Sequence, residues 1–246
     1  MEKVYLILGA SSDLGCALIK QLACENDEKI TIIAHYYSSC EKLNEIDSLY
    51  SNLTLHIIQA DLSVLSQTKE MIKKIQRMNV KLTHIVSLSA DTFHHTRISE
   101  WDVDLINRDM NIQVYSLAEI FKAFLPEMAK NMYGKVVVML TAYTFGVPPK
   151  NMAGYVTVKY ALLGLMKSMA SDFGDKGICV NGVSPGMVNT AFIAGIGRKI
   201  KEFTAQTNTR HRLLEVQDVI PMVCFLLSEK SEFINGSNIN LSGQSE

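Results

Sequence analysis

Short apolar runs alternate along this chain with longer segments of helical periodicity, and this alternation limits the fold more than any other feature. The apolar runs carry β-branched residues and lie at 4–8, 30–34, 53–58, 83–88, 135–140 and 178–183. The helical patterns lie at about 14–24, 40–50, 64–79, 101–131 and 153–174. Strands that are apolar on both faces are typical of buried parallel sheets. We therefore predict an α/β fold: a doubly wound parallel sheet of the Rossmann type, in three α/β/α layers.

Length and charge limit the domain count and the partners. The 246 residues contain neither an internal repeat nor a linker rich in Pro, Gly or Ser, so we predict one domain over residues 1–246. A hydrophobic content of 48% and a charged content of 20% exclude intrinsic disorder. The formal net charge of −1 provides no basic field, so we expect no nucleic-acid partner.

Cysteine spacing and hydropathy bear on metals and membranes. The five cysteines are scattered without the spacing of a metal site or a disulfide framework, which predicts no metal and a reducing compartment. No apolar stretch approaches the roughly 18 residues that a membrane-spanning helix needs, and the first residues do not resemble a signal peptide. We expect a cytoplasmic protein with no membrane partner.

A glycine-containing turn follows the first predicted strand and precedes a helical segment. It spans residues 9–15, Gly-Ala-Ser-Ser-Asp-Leu-Gly, where a dinucleotide-binding fold holds pyrophosphate. Glycines let the backbone approach a phosphate, and a helix N-terminus supplies free N–H groups. The spacing is not GxGxxG, so an ordinary turn in which Ser11, Ser12 or Asp13 caps the helix explains the sequence equally well.

An acidic residue follows the third predicted strand. Asp61 is placed to accept a hydrogen bond from an adenine amino group, or to cap the next helix. Considered alone, the helix cap is the simpler interpretation of this residue.

Tyr155 and Lys159 are four residues apart on a predicted helix, so their side chains lie on one face, about one turn apart. A phenol has a pKa near 10, and an ammonium about 4 Å away favours the phenolate by about 4 kcal/mol at an effective dielectric of about 20. That interaction would bring the tyrosine pKa close to neutral, where a phenol serves as a general acid. Many helices carry such a pair without any function, so the pair alone does not establish catalysis.

Together these segments resemble the short-chain dehydrogenase/reductase family over nearly the whole chain, and most closely its 3-oxoacyl-(acyl carrier protein) reductase-like branch. The matching stretches are residues 9–15, 61–63, 111, 134–141, 155–159, 177–181, 184–190 and 225–228. Their order and spacing are more specific than any single motif. The resemblance implies hydride transfer between a nicotinamide dinucleotide and a carbonyl or alcohol carbon.

The resemblance also implies roles for individual residues. Tyr155 is the general acid/base, Lys159 lowers its pKa and holds the nicotinamide ribose, and the Thr141 hydroxyl hydrogen-bonds the substrate carbonyl. Asn111 occupies the helix position that holds a proton-relay water. The residues expected to contact the cofactor, besides Tyr155 and Lys159, are Gly9, Ser11, Ser12, Asp13, Leu14, Gly15, Tyr36, Asp61, Leu62, Ser89, Ala90, Pro185, Gly186, Val188 and Thr190.

The sequence departs from the family pattern in four places. Asp13 replaces a glycine in the phosphate turn, and we expect its side chain to point away from the pyrophosphate or to cap the helix. Residues 87–90, Ser-Leu-Ser-Ala, replace Asn-Asn-Ala-Gly beside the cofactor. Thr141 replaces a serine and keeps the hydroxyl. Tyr155 follows Thr141 by 14 positions, where many relatives have 13, so the loop between them absorbs one residue.

The end of the second predicted strand bears on the choice of cofactor. An acidic residue there would bind the 2′-hydroxyl of NAD(H), but residues 35–39, His-Tyr-Tyr-Ser-Ser, contain no acid. We therefore predict NADP(H), with NAD(H) as the alternative. No arginine follows the strand, so Ser38, Ser39 and Lys42 would hold the 2′-phosphate.

Residues 187–212, which we call the lid segment, have weak periodicity and are predicted to form a substrate lid. The segment carries the basic residues Arg198, Lys199, Lys201, Arg210 and Arg212. They suggest an acidic substrate or carrier, such as an acyl carrier protein or a coenzyme A thioester, although a solvated helix face explains them equally well. His94 and His95 are interpreted as a polar loop rather than as metal ligands.

Association follows from the resemblance. Relatives pair through the long helices on either side of the fifth strand and through the C-terminal helix and strand. The corresponding segments here, 112–128, 153–173 and 219–227, are apolar enough to predict a homodimer or homotetramer.

The sequence therefore predicts an NADP(H)-dependent reductase of a small-molecule carbonyl compound, such as a 3-oxoacyl thioester. The alternative is a dinucleotide-binding sensor or scaffold with little catalysis, which Asp13 and residues 87–90 would explain. Tyr155, Lys159 and Asn111 together favour the enzyme. An enoyl reductase is less consistent, because that branch of the family spaces its tyrosine and lysine more than four residues apart.

Overall fold

The structure, a computed structural model, describes residues 2–93 and 97–243, and within them seven strands alternate with eight α-helices. The strands are β1 (Lys3–Leu8), β2 (Ile30–Tyr36), β3 (Leu53–Gln59), β4 (His84–Ser87), β5 (Gly134–Met139), β6 (Ile178–Pro185) and β7 (Asn238–Leu241). The helices are α1 (Asp13–Glu25), α2 (Glu41–Asp47), α3 (Leu65–Arg77), α4 (Val103–Met110), α5 (Ser116–Lys130), α6 (Ala153–Phe173), α7 (Arg198–Thr207) and α8 (Val216–Leu227).

The strands form one sheet in the order β3-β2-β1-β4-β5-β6-β7, with parallel pairing throughout. From β1 the chain first winds outward to β2 and β3, and then crosses to β4 on the other side of β1. This order confirms the predicted doubly wound sheet. In such sheets ligands bind outside the carboxyl ends of the strands where the winding reverses, which here is the end of β1 and β4.

Two hydrophobic cores cover the two faces of the sheet. One lies beneath α3, α5 and α6 and includes Met71, Phe121 and Met166. The other lies beneath α1, α2 and α8 and includes Leu18 and Val223. Strands β5 and β6 are buried along their whole length, because helices cover both of their faces. The arrangement confirms the three α/β/α layers in one domain.

The predicted helix over residues 101–131 is wrong in one respect, because it contains a wider turn. Helix α4 ends at Met110, a π-helical turn spans Asn111–Tyr115, and α5 begins at Ser116. Single π-turns inside helices occur frequently at functional sites. The residue implied as the proton-relay position, Asn111, therefore begins the irregular turn.

The C-terminal part contains the lid segment and the last helix. Within residues 187–212 the chain forms the short helix α7. Helix α8 begins at Val216, where Glu215 and Asp218 form a reciprocal capping box.

Two features of residues 2–93 and 97–243 bear on membranes and metals. None of the helices there combines the length and the apolar character needed to span a membrane. The same residues contain no cluster of three or more His, Cys, Asp or Glu side chains able to hold a metal ion.

Candidate active site

A cavity of about 400 Å³ opens at the carboxyl edge of the sheet, where the winding reverses. Its walls come from the segments after β1, β4, β5 and β6, from the start of α6 and from the lid segment. The volume lies within the usual range of small-molecule sites. The predicted site residues that line it are Ser11, Ser12, Asp13, Leu14, Ala90, Thr141, Tyr155, Lys159, Pro185, Gly186, Val188 and Thr190. Those outside its wall are Gly9, Gly15, Tyr36, Asp61, Leu62, Ser89 and Asn111.

The two glycines of the phosphate turn, Gly9 and Gly15, allow close backbone contacts that a larger residue would prevent. Gly9 adopts a φ of +75°, and a Cβ there would lie 3.0 Å from the Ser89 nitrogen. A Cβ on Gly15 would lie 2.5 Å from the Ala10 carbonyl oxygen, so only glycine lets α1 start this close to β1. Of the three candidate caps, Ser12 caps α1, since its Oγ accepts from the Gly15 N–H at 3.1 Å.

A buried histidine that sequence reasoning missed supports the same turn. The Gly9 N–H donates to His35 Nδ1 at 3.1 Å, so Nε2 carries the hydrogen and donates to the Ala60 carbonyl oxygen at 3.0 Å. Burial lowers the pKa of His35, which favours this neutral form. The only sequence signal for this role is the position of His35 at the end of a buried strand.

These residues fit a dinucleotide at the switch point. The glycine turn leaves the N-terminus of α1 open to the cavity, with Ser11, Ser12 and Leu14 in its wall. Beside Gly9, the buried Ser89 Oγ has no hydrogen-bond partner among the described residues, as is usual for a group that awaits a ligand or water.

The expectation that Asp13 caps the helix is wrong, because Ser12 caps α1. Its side chain lies in the cavity wall, where Oδ1 accepts from Lys42 Nζ at 2.9 Å and Oδ2 accepts from the Ala191 N–H at 2.8 Å. The bond from Ala191, followed by that from Lys42, lowers the pKa of Asp13, so the carboxylate is charged at neutral pH. Lys42 is bound to this carboxylate, and its expected contact with a 2′-phosphate stays a prediction.

The expectation that Asp61 caps a helix is also wrong. Asp61 Oδ1 accepts from the Ser63 N–H at 2.9 Å and from the Ser63 hydroxyl at 2.6 Å, which forms a local turn. Helix α3 begins later, after Val64. A contact between Asp61 and adenine stays a prediction.

Asn111 connects the end of α4 to the turn at residues 61–63 that follows β3. Its Nδ2 donates to the Ser63 carbonyl oxygen at 2.9 Å, and Arg108, one turn earlier, donates to the Ser63 hydroxyl at 2.9 Å. Asn111 lies outside the cavity wall, so its implied role with a relay water stays a prediction.

Thr141, Tyr155 and Lys159 converge on the cavity. Thr141 follows β5 and hydrogen-bonds the Tyr155 phenol, whereas Tyr155 and Lys159 lie on α6. Lys159 is buried, and its Nζ donates to the Met139 carbonyl oxygen at 2.8 Å. The same Nζ lies 5.8 Å from the centre of the Tyr155 ring.

The expected lowering of the tyrosine pKa by Lys159 is wrong. Burial raises the pKa of Tyr155 to about 12, and the hydrogen bond from Thr141 opposes this only in part. Burial also lowers the pKa of Lys159 to about 8. The physical reason is that the Lys159 ammonium is bound to the Met139 carbonyl oxygen, and that desolvation is the largest effect on the pKa of each group.

An aromatic cluster covers the tyrosine, and sequence reasoning missed it. The Phe93 ring packs edge-on against Tyr155 with ring centres 5.2 Å apart, and Phe192 of the lid segment lies 6.4 Å from Tyr155. Phe93 and Phe192 are themselves 6.3 Å apart. No motif marks either residue, and 99 positions separate them, although Phe192 closely follows the recognised stretch 184–190. His94 and His95, the next residues after Phe93, lie outside the described residues.

Asp109 of α4 is a further group that the sequence did not indicate. Its charge raises the pKa of both Tyr155 and Lys159. The site thus offers a protonated phenol, a hydroxyl and a buried amine at an apolar wall, a set suited to proton transfer beside a bound dinucleotide.

Comparisons with known proteins agree with this geometry. A family model described as enoyl-(acyl carrier protein) reductase matches residues 9–243. The 3-oxoacyl-[acyl-carrier-protein] reductase FabG of Staphylococcus epidermidis is 26% identical over 249 residues, which cover 99% of this chain and 98% of that protein. Human dehydrogenase/reductase SDR family member 4 is 25% identical over 254 residues, which cover 98% and 87%.

Solved structures share the fold. A short-chain type dehydrogenase/reductase from Mycobacterium ulcerans superposes with a TM-score of 0.88 at 21% identity, covering 99% of this chain and 89% of that one. A 3-oxoacyl-[acyl-carrier protein] reductase from Brucella melitensis gives 0.85 at 20% identity, covering 98% and 90%. The strand order, the cavity at the switch point and the match over nearly the whole length lead to one conclusion: the chain belongs to the short-chain dehydrogenase/reductase family of NAD(P)-dependent oxidoreductases.

Proposed function

We propose that this protein reduces a carbonyl compound with an apolar chain, with NADPH as hydride donor and Tyr155 as proton donor. One observation carries the proposal: Thr141, Tyr155 and Lys159 meet in the wall of a cavity of about 400 Å³ at the switch point of the sheet. A protein freed from catalysis has no physical need to keep a hydroxyl, a phenol and a costly buried amine together.

Each of the three side chains has a distinct task in this reaction. The nicotinamide supplies the hydride when the cofactor is bound. Tyr155 donates its proton to the substrate oxygen, and Thr141, already bonded to the phenol, orients that oxygen beside it. Lys159 holds the nicotinamide ribose, and its charge stabilises the phenolate that is left after the proton has moved.

The walls of the cavity favour an apolar substrate. On the lid side they are formed by Phe192, Ile193, Ile196, Ile200 and Phe203. The basic residues Arg198 and Lys199 are exposed, and Arg198 is paired with Glu202. An acyl chain would therefore lie in the cavity, while an acidic carrier would meet the exposed Lys199 and the half-buried Lys201 at its rim. The relative from Staphylococcus epidermidis, named as a reductase of such thioesters, supports this substrate class.

The preference for NADP(H) rests on the end of β2. Residues 35–39 contain no carboxylate to bind a ribose 2′-hydroxyl, and Lys42 lines the cavity. The proposal therefore includes Lys42 as the cation nearest to the 2′-phosphate, with NAD(H) as the weaker cofactor.

Turnover of defined thioesters tests the proposed reaction. Oxidation of NADPH at 340 nm is followed with a 3-oxoacyl thioester and, separately, with the matching 2-enoyl thioester. We expect turnover of the first, loss of at least about 100-fold in kcat for Tyr155→Phe, and little change in NADPH affinity for that variant. Tyr50→Phe, on a tyrosine outside the cavity wall and away from the faces proposed to pair, is the matched control. Reduction of the enoyl thioester alone, or tight NADPH binding without oxidation of any carbonyl, would contradict the proposal.

The carrier at the rim has its own test. The double variant Lys199→Glu plus Lys201→Glu should raise KM for a thioester bound to acyl carrier protein and leave KM for a short uncharged ketone unchanged. Equal KM values for the carrier-bound substrate in variant and wild type would remove the carrier from the proposal.

We also propose a homodimer or homotetramer. Large apolar side chains are exposed on the faces that would pair: Val103, Tyr115 and Tyr160 near α4 to α6, and Phe225 and Phe233 near α8 and β7. Sedimentation should give a mass of two or four chains, and a species of 27.4 kDa would contradict this.

A further inference from the structure

Asp13 joins three separate parts of the candidate site. It begins α1 at the phosphate turn, binds Lys42 in the first turn of α2 and binds the Ala191 N–H in the lid segment. These partners are 29 and 178 positions away along the chain. The carboxylate is 30% exposed and lies in the cavity wall.

The groups around Asp13 are those that bind anions. The open N-terminus of α1, a backbone N–H and an ammonium each favour a negative charge. A dinucleotide in this cavity would place its phosphates beside the same groups, because Ser11, Ser12 and Lys42 line the wall with Asp13. The carboxylate thus lies where phosphate oxygens would be held, and it carries the same sign of charge.

We infer that Asp13 is an internal anion that sets the affinity and selectivity for the cofactor: its carboxylate holds Lys42 and the lid segment while no cofactor is bound, and it competes with the cofactor phosphates for them. This inference rests on the proposed function, which assigns the dinucleotide to this cavity. Because only NADPH carries the 2′-phosphate, competition between Asp13 and this phosphate for Lys42 weakens the binding of NADPH more than the binding of NADH. The lid segment is then released from Asp13 as the phosphates arrive.

The choice of substitutions separates charge from geometry. Asp13→Asn keeps an oxygen that accepts from the Ala191 N–H but removes the charge, whereas Asp13→Ala removes both. Glu41→Gln removes an exposed carboxylate next to Lys42 in sequence, outside the cavity wall, and is the matched control for net charge. Thermal unfolding of each variant establishes that it is folded.

Equilibrium binding of NADPH and NADH, measured by isothermal titration calorimetry, tests the inference without turnover. For Asp13→Asn we expect the Kd of NADPH to fall about tenfold and that of NADH to fall by less, because water, salt and the paired Lys42 screen most of the repulsion between the carboxylate and a phosphate a few ångströms away. Adding Lys42→Met to Asp13→Asn should erase the difference between the two cofactors. Unchanged or weaker NADPH binding in Asp13→Asn, or equal gains for both cofactors, would overturn the inference.

Hydrogen exchange tests whether the bond from the Ala191 N–H to Asp13 stabilises the lid segment. In the protein without cofactor, the Ala191 amide should exchange at least about tenfold faster in Asp13→Ala than in wild type, because it loses its acceptor. Equal exchange would show that Asp13 does not hold the lid segment and would overturn that part. If neither dinucleotide binds to wild type or to any variant, the proposed function fails and the inference fails with it. If NADPH binds tightly and with the same Kd to wild type and to the Asp13 variants, only the inference is refuted.

Discussion

Replacing Lys159 with methionine should make the protein more stable without cofactor while it removes activity. Lys159 is 3% exposed, and burial lowers its pKa from 10.5 to about 8. At 1.36 kcal/mol for each pKa unit, the folded state is disfavoured by about 3 kcal/mol when this lysine is charged. Methionine has a similar length and no charge, so it removes this cost. It also removes the hydrogen bond to Met139, which is worth about 1 kcal/mol.

The net gain for Lys159→Met is therefore about 2 kcal/mol at pH 7. Its dependence on pH follows from the direction of the shift. The unfolded chain binds the lysine proton more tightly than the folded protein, so the cost is fully present below about pH 8 and disappears as the pH rises toward 10.5. The advantage of the variant should fall to near zero by about pH 10.

Urea unfolding of the cofactor-free protein at pH 7 and pH 10, for wild type and Lys159→Met, measures both quantities. Lys167→Met replaces an exposed lysine on the same helix and controls for the loss of a lysine as such. A stability difference that is the same at both pH values would refute the reasoning, because it would mean that the Lys159 proton is held equally in the folded and unfolded chains. A variant less stable than wild type at pH 7 would refute it as well.

Three further predictions concern other parts of the molecule. Thr141→Ala should lower kcat about 100-fold while Thr141→Ser keeps most of it, since the hydroxyl alone is needed to orient the substrate oxygen; steady-state kinetics decide this. Gly15→Ala should destabilise the protein by about 1–3 kcal/mol in urea unfolding, because its Cβ would lie 2.5 Å from the Ala10 carbonyl oxygen. Burial lowers the pKa of His84 to about 3. Below pH 6.5 the histidine is therefore protonated in the unfolded chain but stays neutral in the folded protein, which favours unfolding. Wild type should therefore lose about 3 kcal/mol relative to His84→Gln between pH 6.5 and pH 4 in acid unfolding, and parallel curves would count against it.

The strands and their topology could be predicted from the sequence because the sheet is buried on both faces. Burial of this kind leaves continuous apolar runs, and every predicted run occurs as a strand within about two residues. The π-turn at Asn111 could not be predicted in the same way. Its residues, Asn-Ile-Gln-Val-Tyr, continue the apolar period of the helix on either side, so composition carries no signal for it.

The site was predicted where a local motif determines it and missed where distant segments meet. Tyr155, Lys159 and Thr141 belong to recognisable stretches and do line the cavity. Local rules predicted that Asp13 caps the helix or points away from the pyrophosphate, and they could not indicate its partners, which come from α2 and from the lid segment. Phe93 and Phe192 meet only in the folded protein, so no spacing in the sequence could have linked them.

The same limit explains the pKa of the tyrosine. Spacing along a helix predicts that an amine is near a phenol, but not how much water surrounds them, and here desolvation is the larger effect. With its pKa raised to about 12, Tyr155 keeps its proton at neutral pH. Carbonyl reduction needs a phenol that donates a proton, whereas alcohol oxidation needs a phenolate that accepts one. In the proposed reaction Tyr155 therefore starts protonated, as it would at its ordinary pKa near 10, and the charge on Lys159 acts on the phenolate that remains after the proton has moved.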